Sequence, residues 1–328
     1  MITFFSTIPG AMILLVLGFI FLIKGADFFV EGASAVAKKL HVPALVIGMT
    51  IVAMGTSLPE LSVSVTASMA GSNQLAIGNV VGSNIFNLMV VLGSCALFSV
   101  LEVADDTTKK DFPFSLICTV ALILTGMFGK ELGHIDGAVL LVTFIFFLFS
   151  MLSAAKKSRK AASEVEAEVE KELVNLPTWL CIIYIVGGAV AIKFGGDWVV
   201  DSCTTLALKF GMSETLVGLT IVALGTSLPE LVTSVVAARK NELDMAIGNV
   251  VGSNIFNILL ILGTAAAISP IPFKTVNAID ISILLVFSVI VWIMCLVKKN
   301  LGRLQGVIML AMYVGYLAYI IIRDGGIA

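Results

Sequence analysis

One segment that contains a glutamate occurs twice in this otherwise apolar sequence. Residues 48–93 and 218–263 align without a gap at an offset of 170 residues, and 29 of the 46 aligned positions are identical. The offset pairs Glu60 with Glu230, each in a GTSLPEL motif. An ionisable residue in an apolar membrane segment costs free energy, so it is expected to face a cavity or a partner helix and to have a function there. The two copies predict one site that two halves of the molecule share.

The composition predicts that both halves lie in a membrane. Hydrophobic residues make up 59% of the 328 residues and charged residues only 13%, unlike a soluble domain. Several apolar stretches approach the roughly 20 residues that a helix needs to cross the hydrocarbon core. Strand-like alternation is absent, so the pattern favours a helical bundle. We expect an all-α integral membrane protein whose apolar N-terminal segment is retained as its first helix.

Hydropathy predicts about ten transmembrane helices, five on each side of a polar stretch. Because five is odd, the second half enters the membrane from the opposite side, which predicts two inverted five-helix repeats. The expected division is residues 1–153 for the first repeat, 154–177 for a linker and 178–328 for the second repeat.

Lysine and arginine predict the orientation. Assigning alternate loops to alternate sides puts 14 of these residues on one side and 4 on the other, and the richer side is expected to be cytoplasmic. This predicts a multi-pass protein of the cell membrane with both termini extracytoplasmic and the 154–177 linker cytoplasmic. The linker changes from basic to acidic, which suits a short exposed helix or a flexible tether.

Oxygen-bearing residues of each GTSLPEL motif fall on one helix face. Positions i, i+3, i+4 and i+7 are Ala53, Thr56, Ser57 and Glu60, and in the second copy Ala223, Thr226, Ser227 and Glu230. Pro59 and Pro229 cannot donate a backbone hydrogen bond, so each helix is expected to break nearby and free carbonyl oxygens. Broken helices near the membrane midplane are where transporters bind ions.

The second part of each repeat adds further polar pairs at i, i+4 spacing: Ser83 with Asn87, and Ser253 with Asn257. The glycines of the same segments, Gly78, Gly82, Gly248 and Gly252, have the GxxxG spacing that lets helices approach closely. All expected ligand atoms are oxygens, which hard cations prefer. Two carboxylates carry a charge that one Ca²⁺ or two Na⁺ would neutralise, so competition for one site predicts an exchanger.

The sequence gives little indication of a Cys or His metal site, a nucleotide site or an enzyme. The five cysteines and two histidines lack metal-ligand spacing and do not recur at the offset. A phosphate-binding loop of the GxxxxGK[ST] kind is absent. We expect no enzyme activity and no cofactor, with Ca²⁺ and Na⁺ as transported ions. The lipid bilayer is the expected partner, without nucleic acid, nucleotide or an obligatory protein partner.

Several alternatives stay open at this point. Two buried carboxylates could take up protons instead of Na⁺, which would make the protein a proton/Ca²⁺ exchanger. A cation channel would need a continuous pore, and a membrane scaffold would need no ion at all. The glutamates could also pair with Lys24 or Lys193 and only hold helices together.

The motifs GTSLPEL and GNVVGSNIFN, each present twice, closely resemble the α-repeats of the cation/calcium exchanger superfamily, in particular prokaryotic sodium/calcium exchangers. The resemblance implies ten helices in two inverted repeats, with leading helices near residues 8–39 and 178–210 that slide across a central site. It implies Glu60 and Glu230 as the principal Ca²⁺ ligands. The implied ligands of overlapping Na⁺ and Ca²⁺ positions are Thr56, Ser57, Thr226, Ser227, Ser83, Ser253 and Asn87, with the Ala53 and Ala223 carbonyls.

Asn257 is the position where this chain differs from some relatives. Some members of the superfamily, including potassium-dependent exchangers, carry an aspartate there. The resemblance therefore points to a potassium-independent antiporter that moves Ca²⁺ against Na⁺ by alternating access.

Overall fold

The computed structural model describes residues 7–165, 176–212, 221 and 223–323, and most of these are helical. In chain order the helices are α1 (Ile8–Leu40), α2 (Ala44–Thr56), α3 (Leu58–Met69), α4 (Asn73–Phe98), α5 (Thr107–Gly129), α6 (His134–Val165), α7 (Thr178–Lys209), α8 (Ala223–Gly225), α9 (Leu228–Arg239), α10 (Leu243–Ile268), α11 (Thr275–Lys298) and α12 (Arg303–Arg323). The short strands are β1 (Leu101–Glu102), β2 (Glu131–Leu132), β3 (Ile271–Pro272) and β4 (Asn300–Leu301).

The long helices make this a multi-pass membrane protein. In the described part of the chain, eight helices are long and apolar enough to span a membrane, and the bent pair α2–α3 would make a ninth. Most of the segment that would correspond to α2 in the second half, residues 213–220 and 222, lies outside the described residues. The predicted count of ten therefore stays a prediction.

Two helices extend well beyond the apolar cores that mark them in the sequence. Helix α1 begins where the Thr7 hydroxyl accepts a hydrogen bond from Gly10 N, and it ends at His41, whose backbone is left-handed. It thus continues some four turns past its apolar core into a charged segment. Helix α6 continues to Val165, so the beginning of the predicted linker is helical and continuous with α6.

Glycines allow two pairs of helices to come into near backbone contact. On α7, a Cβ at Gly195 would lie 2.5 Å from Leu22 N of α1. On α10, a Cβ at Gly248 would lie 2.5 Å from Leu45 O of α2, and Gly252 packs as closely against Met49. The GxxxG prediction is confirmed for α10. For α4, a Cβ at Gly78 or Gly82 would meet none of the described residues within 4 Å, so no close approach is seen there.

Helices α4 and α10 form the buried centre, and two small ladders tie the halves together around it. Strand β1 pairs antiparallel with β4, and β2 pairs antiparallel with β3. The 170-residue offset relates β1 to β3 and, with a shift of one residue, β2 to β4. Each ladder therefore joins a strand of one half to a strand of the other.

Candidate functional site

The break that the sequence predicts in the first motif is present at Ser57. Helix α2 ends at Thr56, and α3 starts at Leu58 with its axis bent by 50°. Pro59 occupies the first turn of α3, where a missing N–H is tolerated. Glu60 follows in the same turn, near the positive end of the α3 dipole. The second motif has the same order: α8, Ser227, and then α9 with Pro229 and Glu230 in its first turn.

The two motifs meet face to face and exchange hydrogen bonds. The Ser57 hydroxyl donates to Glu230 Oε1 at 2.8 Å, and the Ser227 hydroxyl donates to Glu60 Oε1 at 3.0 Å. Both glutamates are completely buried. Each half therefore supplies a carboxylate and the donor that holds the carboxylate of the other half. The structure brings both predicted carboxylates into one site.

Two serines of the central helices complete this cluster. Ser83 of α4 lies 3.0 Å from the Ser227 hydroxyl, and Ser253 of α10 lies 3.1 Å from the Ser57 hydroxyl. Ser83 also lies 3.5 Å from Glu60 Oε1, which is longer than a normal hydroxyl hydrogen bond. Ser83 and Ser253 are thus placed where the sequence analysis expects them.

Several oxygen atoms of the predicted ligands are buried without a hydrogen-bond partner among the described residues. They are Glu60 Oε2, Glu230 Oε2, Asn87 Oδ1 and Asn257 Oδ1. A buried acceptor without a partner costs free energy, and a buried charge costs more. Bound cations are one way in which such buried acceptors are satisfied. Their chemistry fits Na⁺ or Ca²⁺, which bind oxygen ligands.

Asn87 and Asn257 each begin a π-helical turn, in α4 and α10 respectively. Wide turns of this kind occur often at functional sites, because they redirect a side chain within a helix. Asn257 Nδ2 donates to Asn84 Oδ1 at 2.9 Å, which leaves its own Oδ1 available. The sequence predicts both asparagines as ligands, but it gives no sign of the π turns.

Each threonine of the site lies near an asparagine that is not among the predicted ligands. The Thr56 hydroxyl lies 3.1 Å from Asn249 Oδ1, and Asn249 Nδ2 donates to Ser234 at 2.8 Å. In the other half, Thr226 lies 3.5 Å from Asn79 Oδ1. The two contacts between a threonine and an asparagine also cross from one half to the other. The missed residues are Asn79, Asn249, Ser64, Ser234, Asn84 and Asn254, and all recur at the 170-residue offset, which was the signal that could have found them.

The backbone oxygens of the two alanines predicted as ligands have different surroundings. Ala53 O accepts a hydrogen bond from Ser57 N at 3.0 Å, so one of its lone pairs is already used. In the second half, Ser227 N donates to Leu224 O instead. Ala223 is the first residue of α8, and the donor that corresponds to Ser57 N, which is Ser227 N, bonds to the carbonyl of the next residue.

The idea that the glutamates pair with lysines does not fit the contacts. Lys193 pairs with Asp197 at 2.6 Å. Within the described residues, both glutamates take their hydrogen bonds from serine hydroxyls and neither forms an ion pair. The same part of the chain has no cluster of three or more His, Cys, Asp or Glu side chains that could hold a metal ion. The site is therefore built from two carboxylates together with hydroxyl and amide oxygens.

The comparison with known families agrees with this geometry. The family described as sodium/calcium exchanger protein matches residues 10–153 and 180–322. The chain belongs to this family. It is a family of transporters and exchangers, and the sodium/calcium exchanger resemblance that the two motifs indicate is confirmed.

Individual relatives cover almost the whole exchanger chain. The sodium/calcium exchanger MaX1 of Methanosarcina acetivorans is 32% identical over 93% of this chain and 97% of its own. The inner membrane protein YrbG of Escherichia coli is 34% identical over 94% of this chain and 96% of its own. A solved structure of the sodium-calcium exchanger NCX_Mj, soaked with 10 mM Na⁺ and zero Ca²⁺, superposes with a TM-score of 0.83. It is 31% identical and covers 95% of this chain and 99% of its own.

Proposed function

We propose that this family member exchanges Na⁺ for Ca²⁺ across the cell membrane at one central site. The observation that carries the proposal is the crosswise pairing of Ser57 with Glu230 and of Ser227 with Glu60. One cation bound between these groups would contact both halves at the same time. The names of the relatives MaX1 and NCX_Mj support the choice of Na⁺ and Ca²⁺.

The charge of the proposed site fits competition between the two ions. Glu60 and Glu230 together carry two negative charges, whereas Asn87 and Asn257 add none. One Ca²⁺ or two Na⁺ would neutralise the pair, and an empty ionised site would be costly in a low dielectric. Binding of one ion species therefore opposes binding of the other, which is the requirement for exchange. The amide at Asn257 favours potassium-independent transport.

We further propose ten spans in two inverted five-helix repeats, with residues 154–177 as a cytoplasmic connector and both termini extracytoplasmic. The two ladders support this topology, because β1 pairs with β4 and its equivalent β3 pairs with β2. Alternating access would come from motion of α1 and α7, which pack on each other through glycines. A rigid pair of helices of this kind can move as a unit against the remaining bundle.

The test is ⁴⁵Ca²⁺ uptake into proteoliposomes with an outward Na⁺ gradient. We expect uptake by the wild type, none by Glu230→Gln, and wild-type uptake by Glu131→Gln, which changes an exposed carboxylate outside the site. Full uptake by Glu230→Gln would contradict the proposed site, and uptake without any gradient would favour a channel.

Proton/Ca²⁺ exchange is the second candidate. It is favoured by the surroundings of Glu60 and Glu230, which are completely buried and paired only with neutral groups. Protonation is another way to neutralise such carboxylates. A proton gradient at zero Na⁺ separates the candidates: uptake under this condition would select the proton exchanger, and its absence would select Na⁺ coupling.

A further inference from the structure

A second cavity of about 320 Å³ lies away from the central site, where α5 and α6 meet α2. Its apolar wall includes Leu45 and Met49 of α2, Phe114 of α5, and Phe147 and Met151 of α6. Its volume falls in the range of small-molecule sites, about 300–1,000 Å³. The 170-residue offset places Ile281 at the equivalent of the cavity's acidic residue, Asp111, so this feature belongs to one half only.

Asp111 is unusual for this apolar cavity, because it is an acidic residue that is almost completely buried. Its side chain is 8% exposed, it lines the cavity, and it makes no capping hydrogen bond at the start of the α-helical part of α5. Its neighbour Lys110 is paired with Asp106 at 2.8 Å, and both side chains of that pair are 70% exposed at the rim. Within the described residues, Asp111 forms no ion pair or hydrogen bond. A carboxylate in this position is stabilised by a cationic partner.

The wall favours an organic ammonium over a metal ion. Phe114 and Phe147 stack with ring centroids 5.5 Å apart, so much of the lining is aromatic. The side-chain oxygens on the wall come only from Asp106, Asp111 and Ser150, whereas Ca²⁺ takes about 6 to 8 oxygen ligands. An ammonium can donate hydrogen bonds to a carboxylate and lie against an aromatic face.

The position of the cavity indicates where such a group comes from. Helix α5 begins at Thr107, and the apolar part of α6 is followed by Lys156 and Lys157, so the cavity lies at the ends of two candidate spans. Phe146 at its edge is 71% exposed on the lipid-facing surface. Lipid headgroups lie at this depth.

We propose that this cavity binds the headgroup of an ethanolamine phospholipid. The primary ammonium would pair with Asp111, the phosphate would lie at the rim near Lys110, and the acyl chains would follow Phe146. The same wall contains Met49, whose backbone packs against Gly252 of α10. Headgroup binding would therefore brace α2, the helix that leads to Thr56 and Ser57. This inference does not depend on which ions are exchanged.

Lipid binding to purified protein tests the proposal without any transport assay. Native mass spectrometry would compare palmitoyl-oleoyl phosphatidylethanolamine, phosphatidylcholine and phosphatidylglycerol on the wild type, Asp111→Asn and Asp106→Asn. We expect the ethanolamine lipid to bind most tightly to the wild type. Asp111→Asn should weaken its binding by about tenfold or more, since a charge-assisted hydrogen bond is lost. Asp106→Asn, which changes the exposed rim, should retain most of the binding.

A second variant covers the case in which Asp111→Asn does not fold. Ser150→Trp fills the mouth of the cavity from the exposed face of α6 and keeps Asp111. We expect it to lose the bound ethanolamine lipid as well. Equal binding of the three lipids to the wild type would overturn the proposal, as would unchanged ethanolamine-lipid binding to either cavity variant.

Discussion

At the scale of single residues, the serines at the helix breaks determine how the carboxylates are held. Ser57 and Ser227 each donate to the glutamate of the opposite half. We expect Ser57→Ala and Ser227→Ala to weaken apparent Ca²⁺ affinity by about ten- to a hundredfold, because a hydrogen bond to a charged group contributes about 1.5–3 kcal/mol. Concentration-dependent ⁴⁵Ca²⁺ uptake measures this. Ser153→Ala on the exposed face of α6 is the control, and equal affinities in all three variants would contradict the role of the serines.

Asn249 has a less direct role, because it holds a proposed ligand, Thr56, and is not itself proposed as a ligand. Its carboxamide links Ser234 to the Thr56 hydroxyl across the two halves. We expect Asn249→Ala to reduce apparent Na⁺ affinity and to lower the free energy of unfolding by about 1–3 kcal/mol, since two buried hydroxyls each lose a hydrogen-bond partner, although Thr56 keeps Val52 O. Na⁺-dependent uptake and thermal unfolding measure the two effects. A loss of stability with unchanged Na⁺ affinity would show that Asn249 serves packing alone.

At the scale of helices, the break in the first motif depends on Pro59. An alanine at this position could donate its N–H to Gly55 O and favour one continuous helix across Ser57. We expect Pro59→Ala to stabilise the fold or leave its stability unchanged, and to reduce transport because Glu60 and Ser57 would be reoriented. Uptake and thermal unfolding of the same preparation measure this. Wild-type transport by the variant would mean that the bend does not need the proline.

Close helix packing gives a second prediction at this scale. A Cβ at Gly248 would meet the backbone of α2, whereas a Cβ at Gly187 on α7 would meet none of the described residues within 4 Å. We expect Gly248→Ala to destabilise the protein by about 1–3 kcal/mol through overpacking. Gly187→Ala is the matched control and should not destabilise. Thermal unfolding in detergent compares the two, and equal midpoints would contradict the close approach of α2 and α10.

At the scale of the whole molecule, the sequence identifies the membrane class, the duplicated motif and the carboxylates of the site. These follow from local patterns: apolar run length, a repeated segment and helical spacing. The crosswise pairing of Ser57 with Glu230 cannot be read from either copy alone, because it depends on how the halves dock. The π turns at Asn87 and Asn257 are equally hidden, since a helix that widens keeps the same apolar pattern.

The ends of the helices are also hard to predict from local sequence patterns. The charged part of α1 after Ile23 lacks the apolar signal of a span, and its helical structure is indicated only by the family resemblance, which implies a leading helix near residues 8–39. Asn79 and Asn249 were visible as repeated polar residues, but their spacing alone does not separate a residue that holds a ligand from a ligand itself. Tertiary contacts make that distinction.

The central claim is that both halves build one shared cation site. Calorimetric titration of the purified protein with Ca²⁺ in Na⁺-free buffer tests it most directly. We expect one Ca²⁺ per chain for the wild type and for Glu131→Gln, and no measurable binding for either Glu60→Gln or Glu230→Gln. Two Ca²⁺ per chain, with one lost in each glutamate variant, would mean two independent sites and would contradict the shared site.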